Sequence, residues 1–195
     1  MEIGTLGFVM QSARAVMASL AMSYEIETGT SVNETELKCM AENIYFEGRA
    51  EPLMGKVAIG HVVMNRVASD RHPDTICEVV HEGPHRESWK TRGKAVADSE
   101  RKFFPIRNKC DFSWYCDGER DIIWVSYMNG EIIDANMTAW RDSVHMALMV
   151  MNGDLKDNTG GADHYYNYHI ASPYWVGAMT HTVYHGNHRF MKEQR

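Results

Sequence analysis

The sequence predicts a single, mostly α-helical domain with one small β-hairpin, an α+β arrangement, and three observations lead to this class. Apolar residues recur at three- and four-residue steps over several long stretches, which is the period of an amphipathic helix. An Asn-Gly pair lies between two short apolar runs and is the strongest short-range hairpin signal. The 195 residues, 44% hydrophobic and 24% charged, are typical of one soluble globular domain.

The N-terminal segment, residues 1–34, is expected to form a helix followed by a polar loop. Apolar residues between Leu6 and Leu20 recur at helical steps, as in an amphipathic helix that packs on the core. Glu2 and Arg14 do not fit a secretory signal peptide. No stretch of the chain is long enough to span a bilayer, so we expect no stable membrane insertion.

Two more helices are predicted on either side of a charged elbow, residues 47–52, whose sequence is Glu-Gly-Arg-Ala-Glu-Pro. The first should begin after Asn33 as N-cap, with Glu36 three residues on as in a capping box. Pro52 suits the first turn of the second helix. Glu47 falls at the C-terminal end of the first helix, the negative end of its dipole. A carboxylate there is a candidate general acid, because a raised pKa suits proton donation; the alternative is an exposed charged loop.

The second half of the chain should contain the hairpin, one long helix and an aromatic segment. Asn129-Gly130 marks the hairpin turn, and residues 136–152 repeat apolar side chains on one helical face. Residues 164–188 are rich in Tyr, Trp and His, starting at His164. Aromatic faces stack on sugar rings and the polar tips reach hydroxyl groups, so this segment is a candidate carbohydrate surface. His181 and His185, four residues apart, are interpreted as structural residues on a helix face rather than metal ligands.

The four cysteines permit three complete pairings. Cys39 lies on the apolar side of the first elbow helix and is interpreted as a core thiol. Cys110 and Cys116 bracket a Phe-Ser-Trp block, where they form either a disulfide or two free thiols. A disulfide would indicate an oxidising compartment.

The net charge and the His81–His85 motif bear on two further classes of function, nucleic-acid binding and zinc-dependent proteolysis. The net charge of −6 argues against a protein whose whole surface binds nucleic acid or an anionic cell wall. Residues 86–109 are locally basic, and either face an anionic polymer or form a solvated helix face with salt bridges. His81-Glu82-Gly83-Pro84-His85 matches the zinc-protease pattern, but Gly-Pro breaks the helix which that pattern needs.

Three groups of residues occur in the order found in one enzyme family. The first group is the elbow followed by Gly55-Lys56-Val57-Ala58 and residues 62–67. It is similar to the family sequences E-A-R-G-E-P, G-Q-V-A and V-x-N-R-V. The chain differs in having Gly48 where the family has alanine and Ala50 where the family has glycine. Asp111-Phe112-Ser113-Trp114 is similar to Q-F-S-W/C, with Asp111 in place of Gln. Tyr165-Tyr166-Asn167 and residues 186–190 complete the set. Over residues 37–190 the chain resembles the spore-cortex-lytic and cell-wall hydrolase family (SleB/CwlJ type), as a phage-lysin-like member.

The resemblance implies a lysozyme-like helical fold whose groove holds a peptidoglycan glycan strand. It implies cleavage of the β-1,4 bond between N-acetylmuramic acid and N-acetylglucosamine, with Glu47 as the catalytic acid. Several members are lytic transglycosylases, which leave 1,6-anhydro ends and need one carboxylate. The Tyr166-Asn167 pair also resembles the one that supports the catalytic Glu in other lytic transglycosylases. The substrate-binding residues that we expect are Phe112, Ser113, His164, Tyr166 and Asn167.

Alternative functions remain open at this point. A lysozyme-type muramidase would use Glu47 with Glu51 or Asp111 as second carboxylate, although Glu51 is expected to cap or orient the second helix. A metal amidase would cut the stem peptide, and a wall-binding module would have lost catalysis. We expect no cofactor or metal, no nucleic-acid partner and a monomer. Without a signal peptide, an endolysin made in the cytoplasm would reach the wall through a pore-forming partner or inside a virion.

Overall fold

The computed structural model describes residues 13–123, 127–128, 131–132 and 135–194, and the predicted mostly α class is confirmed. Its helices are α1 (Ala13–Thr28), α2 (Glu34–Gly48), α3 (Leu53–Val67), α4 (Ile76–Val80) and α5 (Ala135–Met151). Residues 1–12 of the predicted N-terminal helix lie outside the described part. Within it, no helix has the length and apolar character needed to cross a membrane.

Helix α2 lies at the centre of the helical layer, in contact with α3, α4 and α5, while α1 packs on α5. The apolar faces predicted from periodicity are the buried ones, with Leu37 and Ile44 of α2 and Trp140 of α5 almost without solvent exposure. The indole nitrogen of Trp140 donates to the carbonyl of Ala13 at 3.0 Å and so ties α1 to α5.

The start of α2 is fixed by two features, of which the sequence predicted one. The Asn33 side chain accepts hydrogen bonds from the backbone N–H groups of Thr35 and Glu36, at 3.1 and 3.3 Å, as expected of an N-cap. The Glu36 carboxylate instead accepts from the backbone N–H of Cys77 at 3.1 Å, so it joins α2 to α4. The interpretation of Cys39 as a free core thiol is wrong, because Cys39 forms a disulfide with Cys77 beside this contact.

The strands pair into three small antiparallel sheets within the described residues. In the first sheet β1 (His85–Glu87) pairs with β2 (Phe103–Pro105), and in the second β3 (Tyr127–Met128) pairs with β4 (Glu131–Ile132). The third sheet consists of β5 (His164–Asn167), β6 (Met179–His185) and β7 (His188–Glu193), in the order β5-β7-β6. The hairpin prediction agrees with β3–β4, although the turn at Asn129-Gly130 lies outside the described residues. Of the two readings of residues 86–109, the solvated helix face is wrong, because the segment forms the β1–β2 hairpin. His181 and His185 lie on strand β6 rather than on a helix.

The three-stranded sheet packs against α3 through a second, smaller core. Phe190 of β7 is fully buried against Ala58 and Val62 of α3 and against Ala162. At the sheet's end, the turn between β6 and β7 reaches the elbow between α2 and α3. There the two oxygens of the Glu51 carboxylate accept from the backbone N–H and the side-chain amide of Asn187, both at 2.9 Å.

Gly186 should be required in this turn for both its backbone conformation and its size. Its φ is +55°, and a Cβ there would lie 1.8 Å from the Oε2 atom of Glu51. Gly153 has a similar φ of +79° with nothing within 4 Å of a Cβ, so it isolates the backbone effect. We expect Gly153→Ala to cost about 1–2 kcal/mol of unfolding free energy and Gly186→Ala clearly more, as measured by denaturant unfolding. Equal losses in the two variants would contradict a tightly closed Glu51–Asn187 contact.

Candidate active site

A groove of about 850 Å³ opens between the helical layer and the three-stranded sheet. One wall is formed by Glu47 at the end of α2, Arg66 of α3 and residues 108–113. Another wall is formed by β5 and by Ile170, Ala171, Tyr174 and Trp175. The groove therefore lies where the three blocks recognised in the sequence meet.

Glu47 lies in this groove with its side chain mostly withdrawn from solvent. Burial raises the pKa of its carboxyl group to about 7, the largest effect on it. The hydroxyl of Tyr165, the backbone of Ser113 and the charge of Arg66 each act in the opposite direction. A glutamic acid with this pKa is partly protonated at neutral pH and is suited to donate a proton and to take one back.

Tyr165 of β5 is the tyrosine that faces Glu47. Burial, and then the charge of Glu47, raise its pKa well above the ordinary value, so the hydroxyl remains a neutral donor. This hydroxyl is buried and makes no hydrogen bond of regular geometry, although its interaction with Glu47 lowers the pKa of the glutamate. The ring of His188 packs edge-on against Tyr165, with centroids 5.1 Å apart.

Arg66 connects the helical layer with both walls of the groove. Its guanidinium donates to the carbonyl of Asp163 at 2.8 Å and to the carboxylate of Asp111 at 3.0 Å. It also lies 5.0 Å from the ring centroid of Phe112. The side chain is almost fully buried, so these contacts are needed to offset the loss of hydration of its charge. Arg66 thereby brings its positive charge close to Glu47.

The segment around Ser113 is held against α2 by Trp114. The indole nitrogen of Trp114 donates to the Asn43 side chain at 2.9 Å, and its ring stacks on Phe46 with centroids 4.8 Å apart. Cys110 and Cys116 close the segment with a disulfide, the bridged one of the two alternatives left open by the sequence. Because Asn43, Phe46 and Glu47 share the last turns of α2, this packing fixes the Ser113 backbone beside Glu47.

All five residues expected to bind substrate line the groove, namely Phe112, Ser113, His164, Tyr166 and Asn167. Phe112 is buried, while Ser113 is exposed. The hydroxyl of Tyr166 accepts from Arg189 at 3.2 Å, and its ring meets Trp175 edge-on. The place beside Glu47 that the sequence comparison suggested for Tyr166 is occupied by Tyr165.

The two candidates for a second carboxylate lie in different surroundings. Both oxygens of Glu51 are occupied by Asn187, and the nearest ring nitrogen of His188 is 3.9 Å away. Glu51 is not among the groove-lining residues. Its hydrogen bonds to Asn187 fasten the sheet to the elbow. Asp111 does line the groove and forms an ion pair with Arg66. Among the described residues that line the groove, Glu47 and Asp111 are the carboxylates.

One set of side chains at the edge of the groove has the composition of a cation site. Single ligand atoms of His72, Glu82 and Asp111 lie within 4.8 Å of one another. The His72 ring is hydrogen-bonded to Glu82 at 2.8 Å, and the guanidinium of Arg66 occupies Asp111. The positive charge of Arg66 beside Asp111 disfavours binding of a metal cation by these three side chains. The His81–His85 motif does not form one helix face, because His81 follows α4 and His85 begins β1.

Arg66, Tyr165 and Trp175 are groove residues that the sequence analysis did not single out. Arg66 and Tyr165 lie inside the recognised blocks, so their positions were available. The alternation of a β-strand would have separated Tyr165 from Tyr166, but no strand was predicted there. Trp175 carries no motif signal beyond the general richness in aromatic residues.

Residues 50–191 match the family described as Cell Wall Hydrolase, over nearly three quarters of the chain. The chain belongs to this family. It is 25% identical over 173 residues to a spore cortex-lytic enzyme of Halalkalibacterium halodurans, covering 89% of this chain and 39% of that protein. A spore cortex-lytic enzyme of Bacillus cereus is 40% identical over 57 residues, covering 29% of this chain and 21% of the relative. The chain thus spans about two fifths or less of the length of these relatives.

A solved structure supports the fold assignment. The catalytic domain of the germination-specific lytic transglycosylase SleB from Bacillus anthracis superposes with a TM-score of 0.51 at 24% identity, covering 84% of this chain and 98% of that one. The family match begins at Ala50, three residues after Glu47. The candidate role of Glu47 therefore depends on its position in the groove and on its raised pKa.

The effect of Tyr165 on Glu47 can be tested by titration. We expect Glu47 to titrate near pH 7 in the wild-type protein, and at a higher pH in Tyr165→Phe, because the hydroxyl that lowers its pKa is removed. Tyr166→Phe is the matched control, since that hydroxyl contacts Arg189 instead. Carbon-13 NMR of labelled glutamate side chains measures the shift. An unchanged Glu47 pKa in Tyr165→Phe would contradict the contact.

Glu47 should also make the fold less stable as pH rises. Its folded pKa of about 7 exceeds its ordinary value of 4.5, so the folded state holds the proton more tightly than the unfolded state. Stability is therefore lost as pH rises from about 4.5 through 7, on the order of 3 kcal/mol in all. Glu47→Gln should unfold at a higher denaturant concentration than wild type at pH 8, and at a similar one at pH 4. Glu27→Gln, at an exposed position of α1, should show no such pH-dependent gain.

Proposed function

We propose that this chain cleaves the β-1,4 bond between N-acetylmuramic acid and N-acetylglucosamine in peptidoglycan, as a lytic transglycosylase with Glu47 as its acid and base. The observation that carries the proposal is a glutamic acid of pKa about 7 in a groove large enough for a polymer. Membership of the cell wall hydrolase family supports peptidoglycan as the substrate. The solved relative named above is a lytic transglycosylase, in agreement with the reaction type.

The first step needs a protonated carboxyl group. At pH 7 about half of the Glu47 side chains carry a proton, and this proton passes to the glycosidic oxygen as its bond to C1 of the muramoyl sugar breaks. The departing N-acetylglucosamine end gains a hydroxyl group, and C1 becomes electron-poor. The carboxylate formed on Glu47 is stabilised by the Tyr165 hydroxyl, the Ser113 backbone and the charge of Arg66.

The second step returns the proton to Glu47. The carboxylate takes it from the 6-hydroxyl of the same muramoyl sugar while that oxygen bonds to C1, giving a 1,6-anhydro ring. No water is consumed. The 6-hydroxyl has the advantage of proximity over free water, because it is part of the sugar that reacts.

The groove walls can hold the sugars on both sides of the reacting bond. Tyr174 and Trp175 form an aromatic edge, and Tyr174 is 98% exposed, so its ring is available for stacking on a sugar. Asn167 and His164 bring amide and imidazole groups that can bond to hydroxyl and acetamido groups. These side chains line the same groove as Glu47.

The competing mechanism is a hydrolase in which Asp111 is the second carboxylate. Asp111 lines the groove, which is the one observation in its favour. Its ion pair with Arg66 holds one of its oxygens at 3.0 Å and gives it a structural task. A hydrolase of this type also needs its second carboxylate opposite the acid, on the other side of the reacting sugar.

Glu47→Gln should remove most of the lytic activity. The amide has the shape of the acid but can neither donate the proton nor take it back. The loss should be roughly 10²–10⁴-fold, measured as the release of soluble fragments from purified peptidoglycan. Asp111→Asn is the matched carboxylate-to-amide control in the same groove, and we expect it to keep substantial turnover. Near-wild-type lysis by Glu47→Gln would contradict the proposal.

The products decide between transglycosylase and hydrolase. We expect muramoyl fragments with 1,6-anhydro ends, which lack one water relative to reducing ends and are distinguished by mass spectrometry. Chemical reduction before analysis gives a control, because reducing ends take up hydrogen and anhydro ends do not. Reducing ends as the main product, together with loss of turnover in Asp111→Asn, would establish the two-carboxylate mechanism.

We also propose that the chain works on the wall outside the cytoplasm. The disulfides Cys39–Cys77 and Cys110–Cys116 agree with an oxidising compartment. The relatives named above are spore cortex-lytic enzymes, so the endolysin role with a pore-forming release partner stays a prediction. Absence of both disulfides from protein isolated from its native compartment would count against this location.

A further inference from the structure

The β1–β2 hairpin carries a second groove, of about 640 Å³, that does not include Glu47. Its lining combines aromatic and basic side chains, chiefly Arg86, Trp89, Lys90, Arg92, Lys102 and Phe104. The catalytic proposal uses none of them.

The aromatic rings of this hairpin surface face solvent. Trp89 is 73% exposed, Phe103 is 56% exposed and Phe104 is 57% exposed. Large apolar side chains grouped on a surface are typical of a binding site, whereas single ones are ordinary. The ammonium group of Lys90 lies 5.8 Å from the ring centroid of Trp89, which sets a positive charge beside the ring.

The charge of the hairpin is opposite to that of the whole chain. Residues 85–105 hold six basic and three acidic side chains, a net charge of +3 in a chain of net charge −6. Two of the acids, Glu87 and Asp98, are both paired with Arg101. For the other five basic residues of this segment, the described part of the chain provides no ion-pair partner. Their charges are therefore available to an anionic ligand.

The base of the hairpin is built on the segment that lines the catalytic groove. The backbone N–H of Ile106 donates to Pro84 at 2.9 Å, and that of Asp111 donates to Glu82 at 3.1 Å. Gly83 lies so close to Cys110 that a Cβ would be 2.9 Å from its Cα. Because residues 108–113 also line the catalytic groove, the hairpin and that groove are joined through one segment.

We propose that the hairpin surface binds a second stretch of peptidoglycan, with Trp89 and Phe104 against sugar rings and the basic side chains paired with stem-peptide carboxylates. Peptidoglycan offers both groups, since it joins sugar rings to peptides that end in carboxylates. A phosphodiester polymer of glycerol would engage the cations alone and leave the exposed rings without a function. The inference rests on the proposed function for the identity of the polymer.

The test is a binding measurement with sacculi stripped of phosphodiester polymers. All variants carry Glu47→Gln, so that the sacculi are not digested, and the bound fraction gives an apparent Kd. We expect Trp89→Ala, and separately the pair Lys90→Glu and Arg92→Glu, each to weaken binding about tenfold, or about 1.4 kcal/mol. The matched control is Arg14→Glu with Arg141→Glu, the same charge change at exposed positions of α1 and α5, which should weaken binding less than about twofold.

The outcomes separate the inference from the function on which it rests. Binding by Trp89→Ala as tight as that of the Glu47→Gln parent overturns the inference, and so does an equal effect of the control pair. If only the Lys90→Glu and Arg92→Glu pair weakens binding to sacculi, and poly(glycerol phosphate) competes for the surface, the surface binds a phosphodiester polymer. That outcome also overturns the inference. Digestion of the same sacculi by the wild-type chain is measured separately and tests the proposed function. Trp89-dependent binding without digestion would overturn the proposed function and leave the inference standing.

Discussion

The contact between Glu51 and Asn187 holds the two halves of the candidate active site together. Glu51 follows α2 in the elbow, and Asn187 lies in the turn between β6 and β7, so two hydrogen bonds of 2.9 Å join the helical layer to the sheet. His188 follows Asn187 and packs on Tyr165, and Tyr165 faces Glu47. A shift at the elbow would therefore move the tyrosine relative to the acid. The same six-residue block supplies both Glu47, the proposed acid, and Glu51, which anchors the sheet.

Glu47 lies where its negative charge is unfavourable, and the packing contacts around it keep the neighbouring segment in place. The carboxyl group lies at the negative end of the α2 dipole and has lost much of its hydration. Stacking of Phe46 on Trp114, the bond from Trp114 to Asn43 and the Cys110–Cys116 disulfide fix the neighbouring segment. None of these contacts supplies a counter-charge. They give rigidity without removing the burial that raises the pKa.

Local patterns in the sequence predicted the helices well and the sheet poorly. Helix α5 was expected at 136–152 and runs from Ala135 to Met151, and Asn33 is the N-cap. Periodicity and capping are encoded within a few neighbouring residues, so one sequence suffices to read them. The pairing of Tyr165 with Phe190 joins residues far apart in the chain, and the register has a bulge between His181 and Val183.

The same limit applies to contacts that decide details of the site. The Cys39–Cys77 disulfide spans 38 residues, and nothing local to Cys39 distinguishes a bridged cysteine from a buried thiol. The glycine at position 48, where the family has alanine, also depends on a tertiary contact. A Cβ at Gly48 would lie 2.6 Å from the Ile59 side chain, so glycine fits where α2 meets α3. Such constraints exist only once the helices are packed.

The balance of forces on Glu47 matches a group that must act first as acid and then as base. Burial alone would favour the neutral form and leave a strong base after the proton has gone. The Tyr165 hydroxyl, the Ser113 backbone and the Arg66 charge favour the ionised form, and the resulting pKa is about 7. A much higher value would slow proton donation, and a much lower one would leave too little acid at neutral pH. Arg66 can exert this effect because Asp111 and the Asp163 carbonyl hold its guanidinium in place. In this arrangement Asp111 holds Arg66 in place and transfers no proton, in agreement with the proposal that Glu47 alone carries out both proton transfers.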